Sequence, residues 1–384
     1  MTCLQDAIVV DGLLGPGPPF LAQLAVERSH VDLDGQERVV ALAAAGTGWD
    51  PETARLRCWA EMVERFTACS PQVVARVVEE RPVGRDDVLP WWAFASYDAE
   101  QVRRLDRSAL AEHDFVCSAE RWGSAESLLV PASRVILGWA DYAGPDAVAG
   151  ECDASGLAAG CSRDDAALRG LREVLERDAA MQAWHCPGWP GRVLEPAVLG
   201  AEGRRWLSGS PYEVRFADVA RPGLDPVVVA MLYDEAGATV GTACAENLPA
   251  AADAALREAA MLRSTVDVLG PGDASTPVRT SLDHIRHGYQ HPEELHQWFD
   301  GFTAWRGAAD RVRLPLPERV AAVFGVDTLV VELATSADAP FAVVRTLVPG
   351  ATRKEWRHEP RCDARTARGV VPSSTRHDFA RPFG

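Results

Sequence analysis

Apolar positions recur with helical spacing in three places along the chain. After Asp50, Pro51 and Glu52, which form a helix start, Leu56, Trp59, Val63 and Phe66 fall on one face, predicting a helix to about Thr67. Ser162 and Asp165 form a capping box ahead of Leu168, Leu171 and Leu175, a buried stripe on a second helix that HCPGWP (185–190) brings to an end. A third helix is entered at Pro249 and carries Glu258 and Arg263. Between these lie shorter runs rich in β-branched residues. Val39–Leu42, Leu128–Pro131, Val135–Trp139, Tyr212–Phe216, Val227–Leu232, Thr328–Leu333 and Ala342–Val348 all read as strands. A fourth helix is expected over Asp98–His113, and a Gly-rich turn over 153–161 is expected to feed the second helix. The order of elements predicts an α/β fold. No low-complexity linker interrupts it, so one domain over 1–384 is expected: a strand and loop segment over 1–45, a core over 46–365 and a polar tail over 366–384.

Composition narrows the function more than the fold. A formal charge of −16 argues against nucleic-acid or anionic-membrane surfaces, which need clustered Lys and Arg. No apolar stretch approaches the roughly 20 residues of a membrane span. The nine cysteines contain no C-x-x-C pair, and the first residues lack the basic and apolar signature of a signal peptide, so a reducing cytoplasm is expected. Lysine occurs once, at Lys354, and no phosphate-binding G-x-x-x-x-G-K-[ST] loop is present.

The chemistry lies in acids repeated at fixed spacing. Ala54 precedes Glu61 by seven residues, Ala166 precedes Glu173 by seven, and Ala251 precedes Glu258 by seven. The first two helices continue identically as E-x-x-E-R, with Glu61, Glu64, Arg65 and then Glu173, Glu176, Arg177. Residues three apart share a helical face, so each pair of carboxylates projects together. Ordinary surface ion pairs with Arg57 and Arg169 explain a single copy of such a pattern, but less readily two copies at the same offset. Paired carboxylates suit Mg²⁺, which prefers a few acids plus substrate phosphates to an all-protein cage. His284, His287, His291 and His296, with Asp283, invite a metal reading, but Pro292 interrupts their helix and polar surface or core packing is favoured. Burial is expected for Cys186 beside His185, and a small apolar filling role for Cys161.

At this point the sequence resembles the YcaO family. The blocks that carry the likeness occur in order: GTGWDPETARLRCWAEMVERFTA (46–68), LLVPASRV within 122–139, GLAAGCSRDDAALRGLREVLERDA (156–179), the Ala251–Arg263 helix and LVPG (347–350). The terminal Arg-Pro-Phe-Gly looks like a reduced form of the proline-containing tail of azoline-forming members. The resemblance implies a YcaO-like fold with mixed sheets and acid-bearing helices around a central cavity. It also implies Mg²⁺- and ATP-dependent activation of a peptide backbone amide, leaving an azoline, a thioamide or an amidine on a ribosomal precursor peptide. Carried over by position, Glu61, Glu64, Glu173 and Glu176 serve the metal. Glu258 and Asp165 serve the nucleotide, and Arg65, Arg177 and Arg263 lie near phosphates. A separate leader-binding or ThiF-like partner is expected, with a homodimer or a YcaO heterodimer as the assembly.

The chain departs from the family pattern at the nucleotide contacts. Arg57 stands where the family has Ser, and the Ser, Asn and Glu contacts fall on Ala158, Cys161 and Asp165. Ala154-Ser155 replaces Ser-Asn, and Met261 replaces Gln. Each lost hydrogen bond costs about 0.5–3 kcal/mol. A nucleotide-deficient peptide-binding or scaffolding subunit working with an active partner is therefore the alternative reading.

Overall fold

The computed structural model describes residues 8–15, 17–31, 35–80, 88–89, 91–94, 115–139, 142, 154–186, 188–272, 281–302, 314–335 and 340–352. Three sheets carry the architecture. The first joins β1 (Val9–Gly12), β2 (Phe20–Val31) and β3 (Glu37–Gly48) in that order. Along β3 exposed and buried residues alternate, so one face meets the core and the other water. On the buried face lies α1 (Pro51–Ala68), which is followed by the short α2 (Pro71–Val77).

A six-stranded sheet runs β4 (Val78–Glu80), β5 (Phe115–Arg121), β12 (Leu329–Ala334), β13 (Ala342–Leu347) and β7 (Leu157–Gly160), with β6 (Ser127–Pro131) on the free edge of β5. A four-stranded sheet runs β11 (Gly237–Cys244), β10 (Val227–Asp234), β9 (Glu213–Asp218) and β8 (Arg192–Leu194). The ladders are antiparallel, and one isolated parallel bridge joins Val88 to Leu129.

Helix α3 (Arg163–His185) packs on β7 and β13 along one side and on β10 and β11 along the other, so it ties the two larger sheets together. The short α4 (Ala201–Ser208) follows, and α5 (Leu248–Leu269) then covers β10 and β11. Three further helices complete the shell: α6 (Ser281–Gln290), α7 (Pro292–Asp300) and α8 (Leu316–Phe324).

Each major helix starts on a capping side chain. Asp50, Ser162 and Asn247 accept from the backbone N–H three residues on, each replacing a lost intrahelical partner at about 1 kcal/mol. Close approach of helix to strand then depends on glycine. A Cβ on Gly46 would lie 2.2 Å from Cys58 N, one on Gly160 2.4 Å from Ala166 N, and one on Gly241 2.3 Å from Ala255 O.

Two buried charges lock the periphery. The Asp178 carboxylate, 1% exposed, accepts from Arg221 Nε at 2.6 Å and from Thr352 N at 2.8 Å. Arg345, fully buried in β13, donates to the carbonyls of Val135 and Ser155, fixing the turn after β6 and the approach to β7.

Several expectations are revised. Val135–Trp139 is a turn: Val135 N and Ile136 N both bond to Ala132 O, and Gly138 takes a positive φ of 68°. Its residues are apolar because they are buried in the core. Leu157–Gly160, expected inside a turn, is strand β7, paired with β13. Leu56 is 58% exposed, because α1 buries Ala54, Cys58, Trp59, Met62 and Val63. Cys186 is buried as expected, with its Sγ bonded to Gln182 Oε1 at 3.3 Å, whereas Cys161 is exposed and fills no core space. The helix expected over 98–113 and the tail lie outside the described residues. No helix among those described is long and apolar enough to cross a membrane.

Gly241→Val should destabilise the fold by about 1–3 kcal/mol, because the added carbons meet helix backbone that cannot rotate away. Urea denaturation measures this, and an unchanged midpoint would mean that α5 can slide off β11.

Candidate functional site

An equal run of helix after each capping residue decides where the acids fall. Glu61, Glu173 and Glu258 each lie eleven residues after the side chain that caps their helix, Asp50, Ser162 and Asn247. Each then reaches back to the segment before its helix: a strand residue for Glu61 and Glu258, and the turn leading into β7 for Glu173. Ala45 N donates to Glu61 Oε2 at 2.7 Å, Gly156 N to Glu173 Oε2 at 3.2 Å, and Thr242 N to Glu258 Oε2 at 2.5 Å. The chain thus repeats one strand, cap and helix unit three times, with a glutamate closing each unit on itself.

The remaining two acids close contacts between units. Glu64 of α1 accepts from Ala159 N of β7 at 2.7 Å, and Glu176 of α3 accepts from Cys244 N of β11 at 3.3 Å and from Thr242 Oγ1 at 2.8 Å. The Thr242 hydroxyl lies 3.5 Å from Glu258 as well, so it bridges α3 and α5. Arg177 lies between the two acid groups, its guanidinium 3.9 Å from Glu173 and 3.4 Å from Glu176. Arg65 bonds to Glu61 and to the Ala43 carbonyl.

Five carboxylates against two nearby arginines leave a surplus of negative charge. Burial pushes the Glu61 carboxyl above its ordinary range, with Arg65 opposing. It pushes Glu64 well above, where the charges of Glu173 and Glu61 add to the effect. Glu176 is raised by burial, and further by Glu258, against the pull of Arg177. Buried acids held apart from enough counter-charge favour an added cation.

Two other predicted residues are placed elsewhere. Arg263 is clamped by both oxygens of Asp234 at 2.9 Å and by Asp267 at 3.0 Å, between the rings of Tyr212 and Tyr289. It locks α5 to the end of β10 and lies outside the acid group. Asp165 accepts from Cys161 N at 3.0 Å and from Arg169 Nε at 3.1 Å at the head of α3, completing the cap that Ser162 begins. Thr242 was not anticipated from the sequence. Its signal is the offset: it precedes Glu258 by sixteen residues, as Ala45 precedes Glu61.

The donor set suits a hard divalent cation, since it consists of carboxylate oxygens with excess negative charge. Among the described residues, no three His, Cys, Asp or Glu side chains form a ready-made metal cage. A cation here therefore needs further oxygen ligands from water or from a phosphate-bearing molecule, which is the habit of Mg²⁺. Among the described residues, the histidines of α6 and α7 form no such cage either. His287 faces Glu294 at 3.2 Å, and His291 faces Glu293 at 3.3 Å.

Three helices thus hold five glutamates against backbone N–H groups. The chain belongs to the YcaO cyclodehydratase family, described as ATP- and Mg²⁺-binding, whose model matches residues 45–352. No curated protein matches it. Among solved structures, it superposes over 100% of its length on a heterocyclase in complex with substrate and cofactor, with a TM-score of 0.71 at 14% identity, and spans 56% of that chain. YcaO from Methanopyrus kandleri, bound with AMPPCP and Mg²⁺, gives a TM-score of 0.60 at 23% identity, covering 90% of this chain and 85% of that one. The E. coli microcin synthetase McbBCD complex with pro-MccB17 bound gives 0.61 at 12% identity, covering 98% and 100%. At these identities the likeness is one of fold.

Glu64→Gln keeps an oxygen to accept from Ala159 N and removes a charge that its surroundings oppose. In EDTA it should stabilise the protein by about 1 kcal/mol. The further stabilisation produced by Mg²⁺ with nucleotide should shrink at the same time. Differential scanning calorimetry with and without ligand reads both, and a lower melting temperature in EDTA would show that the carboxylate is already compensated.

Proposed function

We propose that this chain activates backbone amides of a ribosomally made precursor peptide at the expense of ATP, with Mg²⁺, and forms azolines. Thioamide or amidine formation is the variant of the same chemistry that a different nucleophile would give. The observation that carries this reading is the array of Glu61, Glu64, Glu173, Glu176 and Glu258, contributed by three helices and fixed by backbone N–H groups.

Glu61, Glu64, Glu173 and Glu176 are the residues that would hold the metal. ATP supplies a phosphoryl group that converts the amide oxygen into a leaving group. Arg177, 17% exposed and already oriented by two glutamates, is placed to offset phosphate charge. Glu258 positions Glu176 through the shared Thr242 hydroxyl. Because every acid is held by backbone donors, the array needs little rearrangement to receive its ligands, and preorganisation of this kind lowers barriers.

The family relationship supports a peptide substrate and partner proteins, since the solved relatives include a heterocyclase with substrate and a three-component synthetase with its pro-peptide. A separate leader-binding or ThiF-like protein, together with self-association or pairing with another YcaO chain, completes this reading. A second reading, a nucleotide-deficient scaffolding subunit, is favoured by Arg263 and Asp165 being committed to protein partners and by apolar Ala158 and Met261 at nucleotide-contact positions.

Turnover of ATP by the full chain with precursor peptide and partner should fall at least 100-fold in the double variant Glu173→Ala, Glu176→Ala. Absence of nucleotide binding by the unmodified chain under Mg²⁺ titration would instead select the scaffold.

A further inference from the structure

One sheet edge is left open beside the acid array. Strand β3 pairs with β2 along its whole length without a register shift, and among the described strands none pairs with its other side. In an antiparallel ladder, alternate residues turn their N–H and C=O groups toward the partner strand and away from it. Ala45 N is held by Glu61, and the carbonyls of Ala43 and Thr47 by Arg65 and Arg57, so the odd-numbered residues of β3 point outward. Side chains of α1 thus cover the end of the edge nearest the acids.

The other end is bare. Val39 and Ala41 turn their N–H and C=O groups outward in the same way, and nothing among the described residues bonds to them there. Val39 is 66% exposed, and residues 39–45 include no charge and no proline. Exposed edges are ordinarily blunted by lysine, proline or a bulge, because a flat apolar edge recruits another strand. This stretch carries none of those guards.

The two ends of the bare stretch carry opposite charges. Glu37 is exposed and forms no ion pair among the described residues, while Arg65, bound to the Ala43 carbonyl, keeps 34% of its side chain exposed. Antiparallel pairing of two such strands about Val40 sets each Glu37 opposite the other copy's Ala43, beside Arg65. An axis at Val39 would instead set Glu37 opposite Ala41, whose neighbour on β2 is Glu27, and bring like charges together. An edge that complements itself in hydrogen bonding and in charge fits a second copy of the chain.

We propose that two copies join through β3, antiparallel across a two-fold axis at Val40, with Val39 of each copy opposite Ala41 of the other. Each of these pairs exchanges two main-chain hydrogen bonds. The two three-stranded sheets become one continuous sheet, and the partner's Glu37 lies beside Arg65 at the margin of each acid array. This gives a surface to the self-association contained in the proposed function and rests on that part of it alone. It needs neither nucleotide nor peptide, so it fails separately from the chemistry.

Sedimentation velocity of the full-length protein over a range of concentrations, without ATP, Mg²⁺ or peptide, reads the association directly. An equilibrium between monomer and dimer is expected. Val39→Pro removes an outward N–H and leaves the ladder to β2 intact; by symmetry it takes two bonds from the interface and should weaken association about tenfold or more. Val39→Thr, which keeps the N–H and the β-branch, should associate as the wild type does, and Glu37→Lys should weaken association several-fold. Hydrogen exchange over 37–43 should slow as the dimer forms. The Glu173→Ala, Glu176→Ala variant should dimerise normally, whatever becomes of its ATP turnover. A monomer at every concentration overturns the interface, and so does a dimer that Val39→Pro leaves equally tight. If Val39→Pro fails to fold by circular dichroism, hydrogen exchange of the unmodified protein decides, and dimerisation that leaves 37–43 unprotected overturns the assignment.

Discussion

The structure depends on what is done with glutamate carboxylates removed from water. Each is costly to bury alone, and each accepts from a backbone N–H in or beside a strand. Glu61, Glu173 and Glu258 bond within their own strand and helix unit, while Glu64 and Glu176 bond to the next one. The acids therefore hold the three units in mutual register. Hydrogen bonds to charged groups are worth about 1.5–3 kcal/mol, roughly twice a neutral bond, which makes them effective fasteners.

Close packing makes those bonds possible. Gly46, Gly160 and Gly241 let α1, α3 and α5 approach their strands so nearly that any side chain would strike helix backbone. At that distance a glutamate two to three turns into the helix reaches back to a strand N–H. Helix α3 contributes most, because it touches both large sheets and presents acids to α1 on one side and α5 on the other.

Arginines divide into three roles that their sequence context does not distinguish. Arg65 and Arg177 offset the acids, Arg263 is spent on a bidentate clamp with Asp234, and Arg257 is buried against Trp49 with a donor to spare.

Local sequence determined the helices and their acids. Capping residues, helical periodicity and the seven-residue offsets are short-range properties, so α1, α3 and α5 and the positions of Glu61, Glu64, Glu173, Glu176 and Glu258 could be read from the chain. Strands β10, β12 and β13 were legible for the same reason, being rich in β-branched residues, and β6 as a short apolar run. Strand β11 was not, because GATVGTAC is buried on both faces between α3 and α5 and shows no alternation. The run at 135–139 misled because burial and strand formation select the same residues. Tertiary structure alone decided which donor each carboxylate takes, that Thr242 joins two helices, and that Arg263 is clamped by Asp234 and Asp267. Those outcomes depend on distances between units far apart in sequence, which no local pattern encodes.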